Sequence, residues 1–254
     1  MDGFKYIFDD AENKYSKVGP NLENFRFARD IYGFCVNEGN VDEQALNYAR
    51  NINSNLCNIF LNQPKGLFGY KGNENKYIKI DDLDSKHIMQ LTFLLDNNAT
   101  NYSKIVEIGG GFGNMCRLSN NIISYDSWDI IDLPHMLEVQ NYYLKNEIKD
   151  ISKINFIDAH SNKNYATAAI DLVIGTHSVS EFSWDIFINY FNNVISKSKY
   201  FYYGYNKNCP NPQLINMKLN YLLNNGFTCI KMFDYTEIPH GANVSYKLLI
   251  NNKI

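Results

Sequence analysis

The sequence lacks long apolar runs and basic clusters, and each absence excludes a class of protein. No window reaches the roughly eighteen apolar residues that a transmembrane helix needs. Residues 1–10 carry acids instead of a basic end followed by an apolar stretch, which argues against a signal peptide. With a net charge of −3 and no Lys/Arg cluster, the chain is not expected to bind nucleic acid.

A cysteine pattern is also missing. The five cysteines are odd in number and scattered, and no Cys-x-x-Cys pair occurs among them. This arrangement indicates reduced thiols in a cytoplasmic protein, and it argues against a zinc site.

The chain is long and apolar enough for one large α/β domain, or for one such domain with a modest appendage. The chain has 254 residues, of which 45% are hydrophobic. The first hundred residues show helical spacing over 40–61, a turn-rich stretch over 63–75, and a second helix over 85–95 with Ser85 as its N-cap. We expect residues 1–100 to form a helical cap that binds substrate, and residues 101–254 to form the main domain.

From residue 104 onward, short apolar runs alternate with helical patterns. Strands are predicted over 104–108, 128–131, 154–157, 171–175 and 200–204, with helices over 134–145 and 184–195 among the segments between them. This alternation predicts a parallel sheet covered by helices on both faces. The last two strands, 227–233 and 245–250, have no helix between them and should pair antiparallel at one edge.

A glycine-rich loop follows the first of these strands. Residues 105–113 read Ile-Val-Glu-Ile-Gly-Gly-Gly-Phe-Gly and lead into a helix that should begin near Asn114. Glycines let the backbone turn sharply and approach a ligand closely, and a helix N-terminus offers unpaired N–H groups. The loop alone is a weak signal, because tight turns also use glycine for packing.

An acidic residue ends the next strand. Asp132 lies about twenty residues beyond the loop, where a carboxylate can accept hydrogen bonds from a ribose diol. The alternative is that Asp132 caps the helix beginning at Pro134. Both roles can hold at once.

The loop's spacing bears on the choice of nucleotide. The dinucleotide pattern Gly-x-Gly-x-x-Gly needs a third glycine, and Asn114 or Met115 stands there instead. Glu107, just before the glycines, is typical of methyltransferases, in which its carboxylate binds backbone amides or the ligand's ammonium group. An NAD-binding site is therefore the second choice.

These residues resemble the class I S-adenosylmethionine (SAM)-dependent methyltransferases over about residues 104–205. Residues 106–113 resemble their first motif, 132–135 (Asp-Leu-Pro-His) the Asp-Leu-Pro element of the O-methyltransferases, 155–158 the third motif and 171–174 the fourth strand. Residues 140–144 and 171–182 are most similar to the sugar O-methyltransferases of polysaccharide biosynthesis. The resemblance implies a Rossmann-like methyltransferase sheet and SAM as cofactor. The implied cofactor-binding residues are Glu107, Gly109, Gly111, Gly113, Asp132, Leu133, Asp158 and Ala159.

Methyl transfer to a sugar hydroxyl requires a base, because a hydroxyl is a weak acid. His177 follows the fourth strand, at the sheet edge where ligands of α/β proteins lie. It is equally well explained as a histidine in a structural hydrogen bond. Glu181 could orient His177 or act as the base, although a solvated helix acid is the simpler explanation for it.

Four further residues are candidates for contact with the substrate: Tyr70, His160, Asn206 and His240. The turn-rich stretch around Tyr70 could be a lid, a packing surface or a dimer surface. A metal site is not expected, because no acids cluster near the fourth and fifth strands.

The sequence therefore predicts a cytoplasmic SAM-dependent O-methyltransferase acting on a sugar or glycan precursor, with a homodimer as an open option. A methyltransferase for another small molecule, an NAD-dependent oxidoreductase and a non-catalytic member of the fold are the alternatives.

Overall fold

A computed structural model describes residues 22–27, 41–69, 80–96, 98, 100–161, 169–236 and 243–254. Its α-helices are α1 (Glu43–Leu61), α2 (Asp82–Leu95), α3 (Asn114–Ser119), α4 (Pro134–Glu147), α5 (Ser178–Glu181), α6 (Trp184–Asn193) and α7 (Pro212–Asn224). Its strands are β1 (Asn101–Ile108), β2 (Ser124–Asp132), β3 (Ile154–Asp158), β4 (Ile170–Thr176), β5 (Ser198–Asn206), β6 (Phe227–Thr236) and β7 (Asn243–Asn251). Two 3₁₀ turns cover Leu22–Phe27 and Ile195–Lys197.

The strands form one seven-stranded sheet in the order β3-β2-β1-β4-β5-β7-β6. Strand β4 pairs in parallel with both β1 and β5, which confirms the predicted parallel core. All seven predicted strands occur, and each extends beyond the apolar run that predicted it. The α/β class is confirmed.

The antiparallel strand is β7. It pairs with β5 on one side and with β6 on the other, so the chain's last two strands pair antiparallel at one end of the sheet, as predicted. The outermost strand of this pair is β6, and β7 lies inside it. Over residues 228–234 of β6, exposed and half-buried positions alternate, as expected for a strand at a sheet edge.

The described chain forms two compact units. One contains residues 1–101, 110–124 and 133–156, and the other contains residues 102–109, 125–132 and 157–254. In the second unit, apolar residues of β1, β4, β5, α6 and α7 form a common core, among them Val106, Val173, Phe187, Phe201 and Leu222. The division at residue 100 into a cap and a main domain stays a prediction.

In the first unit, α1 packs on α2. The predicted cap of α2 is wrong: Asp81 is the N-cap residue, its carboxylate accepts from the Asp84 backbone N–H at 2.7 Å, and Asp84 reciprocates. Ser85 lies within the first turn, where its hydroxyl donates to the Asp81 carbonyl. The capping box explains why α2 begins before Ser85. Asp81 and Asp84 each accept a hydrogen bond from the other's backbone N–H, so both N–H groups at the start of the helix are satisfied.

Two buried arginines organise the first unit. Arg26 is fully buried and pairs with Asp81 at 2.9 Å, and it also donates to the carbonyls of Gly66 and Phe68. Arg117 of α3 pairs in the same way with Asp84. The described part of the turn-rich stretch is thus anchored through its backbone, which favours packing over a lid for residues 64–68.

Within the described residues, no helix is long and apolar enough to cross a membrane. Cys57, Cys116, Cys209 and Cys229 are free thiols, and Cys35 lies outside the described residues.

Candidate cofactor and active site

The glycine loop turns as predicted, with positive φ at Gly109, Gly111 and Gly113. At Gly109, φ is 70° and its N–H donates to the Ile131 carbonyl at 2.9 Å, near the end of β2. A Cβ there would lie 2.4 Å from the Ser178 Cβ, so a side chain is excluded by space as well as by φ.

Gly111 differs because it faces open space. Its φ is 58°, and a Cβ added to it would meet nothing within 4 Å among the described atoms. Its carbonyl accepts from the Gln140 side chain at 2.9 Å, which fixes the loop to α4. The backbone at this position is held in place and remains open to a ligand.

Asn114 explains why the third glycine of the dinucleotide pattern is missing. This residue begins α3 and is fully buried. Its amide donates to Asp84 at 2.9 Å and accepts from Arg117 and from the Tyr143 hydroxyl. A glycine could make none of these hydrogen bonds.

The ends of β2 and β3 lie side by side. The Ala159 N–H donates to the Asp132 carbonyl at 2.9 Å, so the acids that end the two strands are neighbours. The N-cap residue of α4 is Leu133, so Asp132 lies one residue before the N-cap position. The Asp158 carboxylate accepts from the His160 N–H at 2.8 Å, which fixes the turn after β3.

Glu107 is buried near the end of β1. Its carboxyl accepts from the Trp128 indole N–H at 3.0 Å. Burial raises the pKa of Glu107 to about 8; the Trp128 hydrogen bond opposes this shift and the Asp132 charge adds to it. Around neutral pH the acid therefore carries its proton and can ionise when a cation comes close.

His177 directly follows β4 and has an unusual backbone. Its φ is 67° and its ψ is −43°, and among the described residues it is the one non-glycine with a positive φ. Its N–H donates to the Gly204 carbonyl at 2.8 Å, and its Nε2 lies 2.9 Å from the Tyr246 hydroxyl. Both predictions for His177, a base and a histidine in a structural hydrogen bond, are compatible with this contact.

The short helix α5 carries Glu181 and is held from two sides. The Ser178 hydroxyl donates to the Ile108 carbonyl at the end of β1. The buried Lys218 of α7 donates to the carbonyls of Val179, Ser180 and Phe182. Glu181 is half-buried, and burial raises its pKa to about 7 against the opposing field of Lys218.

Of the four residues predicted to contact the substrate, the structure describes two. His160 is exposed next to Asp158, with 3.6 Å between its Nδ1 and the carboxylate. Asn206 ends β5, and its side chain accepts from the Asn208 N–H at 2.8 Å. Tyr70 and His240 lie outside the described residues. In the part of the chain that the structure describes, no three His, Cys, Asp or Glu residues are grouped to hold a metal ion.

Three residues of the site region were not predicted: Trp128, Lys218 and Tyr246. Trp128 stands four residues before Asp132 on β2, and the alternation of a strand could have placed it and Asp132 on one face. Lys218 and Tyr246 reach the site through the packing of α7 and the pairing of β7, and no local signal in the sequence shows either.

Solved structures of methyltransferases share this architecture at low sequence identity. The N-methyltransferase NodS from Bradyrhizobium japonicum WM9, in complex with S-adenosyl-L-homocysteine, is 12% identical and has a TM-score of 0.53; the likeness covers 79% of this chain and 98% of that one. Another structure of NodS is 14% identical, with a TM-score of 0.51 and coverage of 65% and 94%. A protein described as a candidate RNA methyltransferase, from Pyrococcus horikoshii, is 12% identical, with a TM-score of 0.51 and coverage of 78% and 97%.

No protein-family model and no curated protein matches the sequence. The shared architecture includes the mostly parallel seven-stranded sheet. The chain therefore has the Rossmann-like α/β fold of these methyltransferases.

Proposed function

We propose that the protein is a SAM-dependent methyltransferase that methylates a hydroxyl of a sugar or glycan precursor. One observation carries the proposal: the glycine turn and the acid-ended strands converge. Gly109 is hydrogen-bonded to Ile131, and the next residue, Asp132, is bonded through its carbonyl to Ala159 at the end of β3. A nucleoside needs a backbone that it can approach and a carboxylate for its ribose, and both occur here.

The residues at the strand ends fit the parts of SAM. The Asp132 carboxylate would accept from the ribose hydroxyls, and Asp158, Leu133 and Ala159 would surround the adenine. The space beside Gly111 would admit the cofactor to the backbone, with Gly113 completing the turn. Glu107 would ionise next to the ammonium group, because a nearby cation favours the charged form of a buried acid. SAM, when bound, supplies an electrophilic methyl group.

The protein's part in the chemistry would be to position the acceptor and take its proton. His177 stands at the end of β4, and an imidazole can accept a proton near neutral pH. We assign it the role of base, with Glu181 beside it in α5 as a second titratable group. The sugar or glycan acceptor rests on the resemblance of residues 140–144 and 171–182 to sugar O-methyltransferases. The cytoplasmic location and the homodimer stay predictions.

A thermal-shift comparison of SAM, S-adenosylhomocysteine and NADH tests the choice of cofactor. We expect SAM and S-adenosylhomocysteine to raise the unfolding temperature, because a ligand that binds only the folded state stabilises it. Stabilisation by NADH alone would instead support the oxidoreductase.

Calorimetry on Asp132→Ala tests the site itself. Losing two hydrogen bonds to the ribose, together about 2–4 kcal/mol, should weaken S-adenosylhomocysteine binding by roughly 30-fold or more. Asp126→Ala is the matched control, because Asp126 is exposed on the same strand. Equal affinity in the two variants would contradict the assignment of Asp132.

The acceptor can be identified with labelled SAM and a panel of nucleotide sugars, glycan fragments, amines and RNA. We expect the wild type to methylate a sugar hydroxyl. His177→Ala should slow this methylation by about a hundredfold and leave cofactor binding intact. Transfer only to amines or RNA would overturn the proposed acceptor.

A further inference from the structure

The side chain of Tyr246 contacts His177 from a distant strand. Its hydroxyl lies 2.9 Å from the His177 Nε2, and the two rings meet edge-on at 83° with 5.6 Å between their centroids. Tyr246 belongs to β7, and β5 lies between β7 and the β4 strand that His177 follows. The tyrosine therefore has to reach across a whole strand.

Gly204 makes this reach possible. It is paired with Thr176 of β4 on one side and with Tyr246 of β7 on the other. A Cβ at Gly204 would come within 2.8 Å of the Tyr246 ring and 3.3 Å of the Thr176 Cα. Because Gly204 has no side chain, the Tyr246 ring can lie over β5 with its hydroxyl directed at the imidazole.

The ring of Tyr246 is itself held in place. It is 1% exposed and stacks on Phe233 of β6, with 4.9 Å between the centroids and 21° between the planes. Tyr202 of β5 stacks against it at 6.1 Å. The hydroxyl therefore has a fixed position, set by aromatic packing over three strands.

His177 is constrained at its backbone as well. Its positive φ is maintained by the hydrogen bond from its N–H to Gly204, and its carbonyl accepts from the Ser180 hydroxyl. Non-glycine residues with such φ values persist where the surrounding structure determines them, and they cluster at functional sites. The tyrosine contact thus fixes the ring of a residue whose backbone is already fixed.

We propose that Tyr246 is a positioning residue for His177: its hydroxyl oxygen accepts from Nε2–H, which fixes the orientation of the imidazole and leaves the lone pair on Nδ1. The inference rests on the proposed role of His177 as the base. A neutral imidazole has one N–H and one lone pair, and a hydroxyl can partner either of them. The proposed role of base selects the form in which Nε2 carries the proton, because only then can Nδ1 accept one. A base must present its lone pair to the acceptor, so a mixture of tautomers would leave part of the enzyme unproductive.

Nitrogen NMR of the histidine rings tests this directly, without an acceptor. Protein with ¹⁵N-labelled histidine would be compared as wild type, Tyr246→Phe and Tyr203→Phe, with His177 assigned from the signal that His177→Gln lacks. We expect one tautomer of His177 in the wild type and a mixture in Tyr246→Phe, which keeps the ring stacking and loses only the hydroxyl. Tyr203→Phe is the matched control, because the Tyr203 hydroxyl is buried on β5 with no hydrogen-bond partner among the described residues.

Two outcomes would overturn the proposal. His177 signals in Tyr246→Phe that match those of Tyr203→Phe would show that the hydroxyl does not set the tautomer. A wild type with a mixture of tautomers, or with the proton on Nδ1, would show that the hydroxyl does not hold Nε2–H. If Tyr246→Phe does not fold, cross-relaxation between the His177 and Tyr246 rings in the wild type decides, and its absence overturns the contact.

Calorimetry with S-adenosylhomocysteine on the same samples separates this inference from the proposed function. Wild-type binding with an unchanged His177 tautomer in Tyr246→Phe would remove the positioning role and leave the function standing. A wild type that does not bind S-adenosylhomocysteine would remove the function, while the ring signals would still show whether Tyr246 fixes His177. In Tyr246→Phe, cofactor affinity should stay within about twofold of wild type, since the hydroxyl contacts the proposed base.

Discussion

The backbone of His177 stores strain that a different residue would relieve. Its φ of 67° lies in the region that favours glycine, and every side chain with a Cβ is strained there. Such a conformation costs of order 1–3 kcal/mol. Keeping a histidine at this position therefore sacrifices stability, which is expected where the side chain serves the chemistry.

Replacing His177 by glycine and by alanine measures this strain. Both variants lose the imidazole and its contact with Tyr246, so they differ mainly in the Cβ. We expect His177→Gly to be more stable than His177→Ala by about 1 kcal/mol, because only glycine adopts a positive φ without strain. Urea unfolding of the two variants gives the difference in the free energy of unfolding.

The same pair of substitutions at Asn216 is the control. Asn216 is exposed within α7, where alanine should be more stable than glycine by about 1 kcal/mol. The order of the two residues should thus reverse between the two sites. An alanine variant that is the more stable of the pair at both sites would contradict the strain at His177.

At the scale of elements, α5 depends on a single lysine from another helix. The Lys218 ammonium is completely buried and donates to three carbonyls of residues 179–182. Burial lowers the pKa of Lys218 to about 8, since the charged form is disfavoured away from water. The Lys218 ammonium therefore supplies the hydrogen bonds that water would otherwise donate to the carbonyls of α5 and of the residue after it.

Lys218→Met should detach this segment. Methionine keeps most of the apolar stem but leaves the three carbonyls without the ammonium, which should cost at least about 2 kcal/mol of unfolding free energy. Amide hydrogen exchange should rise locally over residues 178–182. Lys145→Met, at an exposed position of α4, should change the unfolding free energy by less than about 0.5 kcal/mol. Unchanged amide hydrogen exchange over residues 178–182 in Lys218→Met would contradict the view that Lys218 holds α5 in place.

The sequence predicts the elements well and their ends less well. The apolar runs of β1 and β2 were found, but the strands begin earlier, at Asn101 and Ser124, where burial alternates and no continuous apolar run exists. Asp81 was missed as a cap because Ser85 lies closer to the periodic residues of α2. Both errors arise where a local pattern is weaker than the hydrogen bonds that the folded chain makes.

The sequence names candidate site residues where they follow one another along the chain. Glu107, the glycines and Asp132 lie at the ends of consecutive strands, so their spacing makes them candidates. Lys218 reads as a solvated lysine on an amphipathic helix, and its burial follows from packing that no local pattern records. Tyr246 needs the register of three strands before its contact with His177 can be seen.

At the scale of the whole molecule, the buried Glu107 and the half-buried Glu181 link stability to pH. Burial raises the pKa of Glu107 to about 8 and that of Glu181 to about 7, from an ordinary value of 4.5. The folded state therefore holds protons that the unfolded chain has already released. Stability falls with rising pH wherever the folded state binds more protons, so these two groups should destabilise the fold progressively between about pH 4.5 and 8.

Glu107→Gln should remove part of this dependence. One proton bound only by the folded state gives a slope of at most about 1.4 kcal/mol per pH unit, and the glutamine variant should lose that contribution. Urea unfolding at a series of pH values from 5 to 9 measures the slope. Trp128→Phe should extend the decline to higher pH, because the indole hydrogen bond favours the ionised acid.

The exposed Glu138→Gln variant controls for removal of a negative charge at the surface. Its slope should equal that of the wild type. A Glu107→Gln variant with the wild-type slope would contradict the burial of a protonated Glu107.

The place of β7 in the sheet affects how the protein is made. This strand follows every other strand in chain order, yet it lies between β5 and β6. During synthesis, β6 leaves the ribosome before β7, the strand that joins it to the sheet. Until β7 is made, the backbone of β6 has no neighbouring strand to pair with in this sheet. Late, long-range strand pairing of this kind folds slowly and exposes strand edges to other chains. The half of the sheet that brings Tyr246 to His177 should therefore form later than the parallel half.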